Sequence, residues 1–377
     1  VTDPPYWSSR CSLCLCWGAG IIPRNAEGRV LRVTRPLDAE TPPEAFGEWL
    51  TPNNQFFVRS HFGPPARGSV DPKTWRLHVG GLVERSLDLS LSELKRLPEV
   101  SVTAVLQCSG NGRAFYEPRV PGIQWQKGAV GQAQWTGVRL ADVLKAAGVQ
   151  TAGREVHLLG ADRPVASGVP LFHRSIPIHK ALHPDTVLAY GMNGEPLPLL
   201  HGAPVRVVTP GWMADACIKW LTTITVAEQE PEGYFMQTAY RRPIHPVKPG
   251  EPVNLKDTEP VTDMVVKSLI TDPADGTALA TGRVDVRGVA WTGEGVVTRV
   301  ELSTDQGATW SLAEFVTEAA PYAWRQWRWA WRVERPGSYT LWARATDSNG
   351  VTQPLVSTWN PSGFLWNGVD RVSVTVG

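Results

Sequence analysis

Four groups of residues between positions 57 and 242 carry side chains able to do chemistry. Phe57-Val-Arg-Ser-His61 sets Arg59 and His61 two positions apart, hence on one face if the chain is extended. Cys108 follows the apolar run Val102 to Leu106 and opens Cys-Ser-Gly-Asn-Gly-Arg113, where a strand gives way to a glycine-containing turn. A thiol presented there has Arg113 close enough in sequence to lower its pKa. The third group is His201-Gly-Ala-Pro-Val-Arg206, followed by Thr209-Pro-Gly211 and Lys219; the fourth is Tyr240 with Arg241 and Arg242. Taken singly, each reads as ordinary surface or strand-end polarity. Together they form a cationic set suited to phosphate and a small oxyanion, because guanidinium forks match both and His61 adds a titratable donor. A soft thiolate within that set points to a metal centre or to a nucleophile. The nucleophile reading lacks a local base after Cys108, and needs the fold to bring His61 to it.

The other cysteines carry less. Cys11, Cys14 and Cys16 sit together, but no nearby His or fourth Cys completes a zinc or iron–sulfur set. Leu15 follows Cys14, so the Cys-x-x-Cys-His pattern of covalent haem attachment is missing. Cys217 stands in an apolar context and reads as a buried small residue. The apolar stretch from Leu15 to Ile22 is expected to be a loose N-terminal segment rather than the remnant of an export signal.

The elements that must position these groups are mixed. Asp88 to Leu97 predicts a short helix stopped by Pro98, with Ser90 and Glu93 at capping-box spacing and three leucines on one face. Val138 to Ala147 has helical spacing and ends at Gly148, a suitable C-cap. Strand patterns run over Trp75 to Val79, Val100 to Leu106, Glu155 to Leu159, Val205 to Val208 and Thr222 to Ala227. Without regular alternation, and without Gly-x-Gly-x-x-Gly between a strand and a helix, a doubly wound nucleotide-binding sheet is not expected. The fold class expected is α+β. Arg241 to Pro260 carries five prolines and reads as a linker without regular elements. Beyond it, short alternating stretches separated by turns predict a two-sheet sandwich. In Trp327-Arg-Trp-Ala-Trp-Arg332 three indoles share one face and are expected in the core, with Arg328 and Arg332 opposite. The expected organisation is an N-terminal segment (1–38), a catalytic domain (39–240), the linker (241–260) and the sandwich (261–377).

Composition bounds the function. The 377 residues hold 37 basic and 36 acidic side chains, which argues against a nucleic-acid binder that relies on a broad basic field. No apolar run approaches the ~20 residues a membrane span needs. Tryptophan is in excess, with 17 copies against 9 Phe and 7 Tyr, which suits sheets packed around indoles or an interface.

The ordered series Phe56-Phe-Val-Arg-Ser-His61, Leu106-Gln-Cys-Ser-Gly-Asn-Gly-Arg113, Gly122-Ile-Gln-Trp125, Trp135-Thr-Gly-Val138, Leu188 to Leu197 and His201 to Gly211 resembles the sulfite oxidase family of molybdenum enzymes. Val286 to Trp291, Ser303 to Gly307 and Ala343 to Asp347 resemble that family's immunoglobulin-like dimerisation domain. The resemblance covers nearly everything after about residue 40. It implies a sulfite-oxidase-type molybdopterin domain followed by an immunoglobulin-like β-sandwich, and one molybdenum–molybdopterin group per chain. Carried over, Cys108 would be the thiolate ligand of the metal. Arg59, Arg113, Trp125 and Tyr240 would surround the substrate oxyanion, with His61 nearby, while His201, Arg206 and Lys219 would hold the pterin and its phosphate. The implied reaction is oxidation of sulfite to sulfate by oxygen-atom transfer.

Two departures bear on that reading. The family commonly supplies another substrate arginine from the stretch corresponding to Trp359 to Asn367, which here contains none; Ser362 and Trp366 stand there, and the nearest arginine is Arg371. This keeps open a same-fold enzyme acting on another sulfur compound or reducing an S-oxide. No haem domain or haem-attachment motif is visible in this sequence, so electrons would pass to an external acceptor such as a c-type cytochrome. That partner favours the periplasm and the lack of a visible export signal favours the cytoplasm; the compartment stays undecided. A homodimer formed through the sandwich is expected.

Overall fold

A computed structural model describes residues 23–164 and 166–377. Cys11, Cys14, Cys16 and the Leu15-to-Ile22 stretch lie outside the described residues. Two hydrophobic sheets build the N-terminal half. One runs in the order Leu87–Ser90, Arg76–Gly81, Leu221–Ala227, Glu155–Gly160, His173–Pro177, with Arg76–Gly81 parallel to Leu221–Ala227 and the other pairs antiparallel. The other aligns Glu195–Pro196, Val187–Met192, Val130–Arg139 and Glu99–Gln107, with Arg206–Val208 also paired to Val187–Met192. Leu77, Val138, Val156 and Ile224 fill the core associated with the first sheet. Phe56, Leu106, Trp125 and Trp135 pack a second core around the end of Glu99–Gln107, and Cys108 is part of it.

Two further sheets form the sandwich. Lys267–Asp272, Gly282–Trp291, Arg325–Val333 and Glu314–Phe315 make one layer. Thr277–Leu279, Asp370–Val376, Gly337–Asp347, Val297–Ser303 and Ser311–Leu312 make the other. Asp370–Val376 alternates buried and exposed residue by residue, which is what one core-facing and one solvated face require. Trp327 and Trp331 are buried in this core as expected, while Trp329 is only partly buried.

Several elements differ from the sequence reading. The helix expected from Asp88 is confined to Leu91–Leu94, because Leu87–Ser90 is drawn into antiparallel pairing with Arg76–Gly81. Its capping box is formed: Ser90 Oγ accepts from the Glu93 N–H, and the Glu93 carboxylate accepts from the Ser90 N–H. The second helix begins at Leu140 rather than Val138, since Val138 and Arg139 complete the strand Val130–Arg139; Gly148 caps it in the left-handed region. Residues 30–38, read as part of an N-terminal segment, contribute to the hairpin Val30–Thr34/Leu37–Glu40, which is tied to the first half by Arg29 Nε donating to the Phe56 carbonyl at 2.8 Å. The proline-dense stretch is not free of regular structure: Arg241–Pro243 and Thr258–Pro260 pair antiparallel at its two ends. Proline is tolerated there because each strand is an edge.

Candidate active site

Three segments from different elements converge. The strand Glu99–Gln107 leads into Cys108, the irregular segment after Phe57 delivers Arg59 and His61, and the strand Leu221–Ala227 is preceded by Asp215 and by Lys219. They surround a pocket whose wall includes Arg59, His61, Cys108, His201, Arg206, Lys219 and Tyr240. Seven of the nine residues singled out from sequence thus share one cavity. The other two, Arg113 and Trp125, are not among the lining residues. Trp125 is fully buried in the apolar cluster that also holds Cys108.

Burial pushes the Cys108 thiol up, opposed by the charges of Arg59 and Arg113 and by the Gly110 N–H. Arg59 turns one nitrogen to Asp38 (3.3 Å) and to the Ser60 carbonyl (2.6 Å). Burial alone would lower the Arg59 guanidinium; the Asp38 carboxylate, with smaller contributions from Tyr240 and Cys108, more than offsets this. His61 is stacked on Phe172 at 4.1 Å and edge-on to Phe235, and its Nε2 lies 3.0 Å from Tyr240 Oη. Burial, then the positive charges of Arg59, Lys219 and Arg174, hold it well below the usual histidine range, so it is neutral at pH 7. Tyr240 is raised by burial and keeps its proton. Its backbone is left-handed (φ 56°), an uncommon state for an aromatic residue that persists only where surroundings enforce it.

At the other end of the pocket, burial holds His201 down to about 3, and its Nε2 is hydrogen-bonded to the Asn53 carbonyl. Arg206 lies over the Trp135 ring and donates to the carbonyls of His201 (2.9 Å) and Cys217 (3.1 Å). Lys219 donates to Ser60 Oγ at 2.8 Å and to the Leu200 carbonyl at 3.0 Å. Removal from bulk water, then the charge of Arg206, pushes it down to about 7, a lysine poised to gain a proton when an anion approaches.

Arg113 is caged by glycines. A Cβ on Gly110, Gly122 or Gly363 would come within 2.7–2.9 Å of its side chain. Its terminal nitrogens donate to the carbonyls of Ile123 (3.2 Å) and Ser362 (3.3 Å), and its buried Nε has no acceptor among the described residues.

Sequence reasoning missed four contributors. Arg174 forms a buried ion pair with Asp215 (2.6 Å) and lies over the Tyr240 ring, and Asp215 also accepts from Ser109 Oγ at 2.6 Å. The signal was a charge inside an apolar run, Met213-Ala-Asp-Ala-Cys217. Phe172 and Phe364 carried no signal, being aromatic residues in loops. Arg371 is not the compensating cation: it lies on the exposed face over Trp342 and donates to the Leu355 carbonyl. Trp366 packs on Gly112 and Phe115, with Lys267 over its ring.

Among the described residues no three His, Cys, Asp or Glu side chains converge as a metal site. A metal here would take a thiolate from Cys108 and further ligands from outside the protein, and a cavity lined by Arg59, Arg206 and Lys219 as well as by Asp162 and Asp215 has room for an anionic group beside the thiol. Such a site, beside a sandwich, is compatible with a molybdopterin-dependent oxidoreductase, and the family models assign that class. Residues 61–235 match the oxidoreductase molybdopterin binding domain, and residues 258–377 match the Mo-co oxidoreductase dimerisation domain. The chain is 36% identical over 356 residues to mitochondrial sulfite oxidase of Mus musculus, covering 91% of this chain but 64% of that protein. It is 31% identical over 383 residues to sulfite oxidase of Arabidopsis thaliana, covering 94% of this chain and 95% of that one. The crystal structure of the sulfane dehydrogenase SoxCD from Paracoccus pantotrophus superposes with a TM-score of 0.78 at 27% identity, over 90% of this chain and 84% of that chain. The chain belongs to the sulfite oxidase family.

Proposed function

We propose that this chain oxidises sulfite to sulfate, holding its molybdenum–molybdopterin group through Cys108. The observation that carries the reading is the meeting of Cys108 with Arg59, His61 and Tyr240 in one pocket. When bound, the group supplies oxygen-atom transfer and takes up the two electrons released: sulfite plus water gives sulfate, two protons and two electrons. The protein supplies binding and orientation. Arg59 keeps two nitrogens clear of Asp38 and offers them to the oxyanion, and Arg113 adds positive potential from outside the pocket lining. Neutral His61 and protonated Tyr240 form a hydrogen-bonded pair able to hold a water or a substrate oxygen in place. Lys219, His201 and Arg206 bind the pterin end, with Arg206 acting through the two carbonyls it anchors. The electrons pass to an external one-electron acceptor such as a c-type cytochrome. The chain pairs with a second copy through the sandwich, which exposes Leu312, Val316, Val351 and Val356.

The test is metal analysis joined to a sulfite-dependent assay with ferricyanide as acceptor. Close to one molybdenum per chain and sulfite-dependent reduction are expected, with Cys108→Ser abolishing turnover while leaving the fold. Protein free of molybdenum after expression in a cofactor-competent host sinks the reading.

A second reading keeps the pterin and changes the substrate to another sulfur compound. It is supported by the absence of an arginine from Trp359 to Asn367, by the outward position of Arg371, and by the likeness to a sulfane dehydrogenase. Millimolar sulfite affinity with poor turnover favours it.

A further inference from the structure

The connection between the strands Gly337–Asp347 and Asp370–Val376 is long and irregular, and it leaves its own domain to lie on the first. Trp359 Nε1 donates to the Pro118 carbonyl (2.9 Å), Ser362 Oγ to the Arg241 carbonyl (2.8 Å), and the Leu365 N–H to the carbonyl of Ser109, the residue after Cys108 (3.0 Å). Loops of this length without secondary structure are uncommon unless they are used. At its centre Phe364 is fixed on both sides of its peptide: Tyr116 Oη and Asn360 Nδ2 donate to its carbonyl, and its N–H donates to Asn360 Oδ1. It lies between Gly363 and Leu365, both left-handed, at φ 63° and 60°. For Leu365 that conformation is strained.

The constraint has a specific product. The Phe364 ring lies parallel to Tyr240, with centroids 5.5 Å apart and planes 3° apart, and the Arg113 guanidinium lies 5.2 Å from its centroid. One aromatic ring from the second domain therefore touches both the tyrosine hydrogen-bonded to His61 and the guanidinium nearest the thiol loop. Neither contact is generic packing. A parallel ring resists rotation of Tyr240 about a backbone that is already strained, and a π face attracts Arg113, whose nitrogens have only two long hydrogen bonds of their own.

We propose that Phe364 is a positioning residue for the oxyanion pocket, through which the second domain sets Tyr240 and Arg113 for substrate. The inference rests on the reading of the pocket as an oxyanion site. Phe364 is not among the residues that line the pocket with Cys108, His201, Arg206 and Lys219, so its loss should weaken anion binding without emptying the metal site.

The experiment compares holoenzymes of wild type, Phe364→Leu and Phe364→Tyr. Sulfate binding is measured by calorimetry, sulfite kinetics are measured in the steady state, and molybdenum content and melting temperature are recorded alongside. Phe364→Leu is expected to raise both the sulfate Kd and the sulfite KM by about tenfold, with kcat within about twofold and molybdenum retained. Phe364→Tyr keeps the ring and is expected to restore both. Sulfate affinity and KM unchanged in Phe364→Leu overturn the proposal, as does a variant whose losses follow its melting temperature and are not recovered by Phe364→Tyr. Wild-type holoenzyme that binds no sulfate and shows no sulfite turnover overturns the oxyanion reading itself, a result distinct from the other two.

Discussion

Adding one methyl group at Gly110 should test whether the position of Arg113 governs catalysis. Gly110 is two residues from Cys108 and its backbone is outside the left-handed region, so alanine fits the main chain without strain, unlike Gly122 at φ 108°. The new Cβ would meet Arg113 Nη2, Cζ and Nη1 at 2.8, 2.9 and 3.0 Å. Ordinary contact needs ~3.5 Å or more, so the guanidinium must retreat by roughly half an ångström. Its bonds to Ile123 and Ser362 are already 3.2 and 3.3 Å long, and such a shift carries one of them past useful length. Losing one hydrogen bond to a charged group costs about 1.5–3 kcal/mol, which corresponds to roughly 10- to 100-fold in kcat/KM if the loss is felt by bound anion. The Gly110 N–H that faces Cys108 is retained in alanine, so the metal site should load normally. Steady-state sulfite kinetics on Gly110→Ala, normalised to molybdenum content, give the answer. A fully loaded variant with kcat/KM within about twofold of wild type would refute the claim that Arg113 must sit where its glycine cage holds it.

Lys267→Met is expected to stabilise the protein, and more so at low pH. Burial pushes Lys267 down to about 7, opposed by Asp370 and Glu40 and reinforced by Lys127, so between about pH 7 and its ordinary 10.5 the unfolded chain binds the extra proton and the wild-type penalty fades as pH rises. Asp370 keeps its ion pair with Lys127 at 2.6 Å and the Ile270 N–H at 2.8 Å, so no buried charge is stranded. Urea midpoints should show a gain of roughly 2–4 kcal/mol at pH 6 that shrinks toward pH 10; a loss of stability, or a gain independent of pH, contradicts the assignment. Sedimentation should give two chains at micromolar concentration, and Val356→Asp together with Val316→Asp, both on exposed apolar positions, should shift it toward one; a wild-type monomer removes the dimer.

Chemistry with a local signature was legible in the sequence. Cys108 announced itself through a strand running into a glycine turn, and Arg59 with His61 through their close spacing; all three line the pocket, but Ser60 lines it too, so strand alternation is not what brings Arg59 and His61 there. The sandwich was legible for the same reason, because a period of two survives in a single strand regardless of its partners. Helix starts were less legible: Leu87–Ser90 and Val138–Arg139 have helical spacing but were taken by strand pairing, a tertiary term that propensity does not contain.

The rest was illegible because its meaning lies between segments far apart in the chain. Asp215 matters through Arg174 and Ser109, which lie 41 and 106 residues away in sequence. Phe364 is the extreme case. In sequence it is an aromatic in a loop beside Ser362, and the missing arginine drew attention to charge alone. In the structure the same loop delivers a ring instead, set parallel to a strained tyrosine and beside a guanidinium held by long hydrogen bonds. Charge bookkeeping therefore mislocates what the second domain contributes. A cation placed there would act on the anion directly, whereas Phe364 acts on it through Tyr240 and Arg113. The two cases separate experimentally, since an added cation acts through salt-screened attraction and an aromatic acts through geometry. If geometry is the operative term, the difference in KM between wild type and Phe364→Leu should persist as ionic strength is raised.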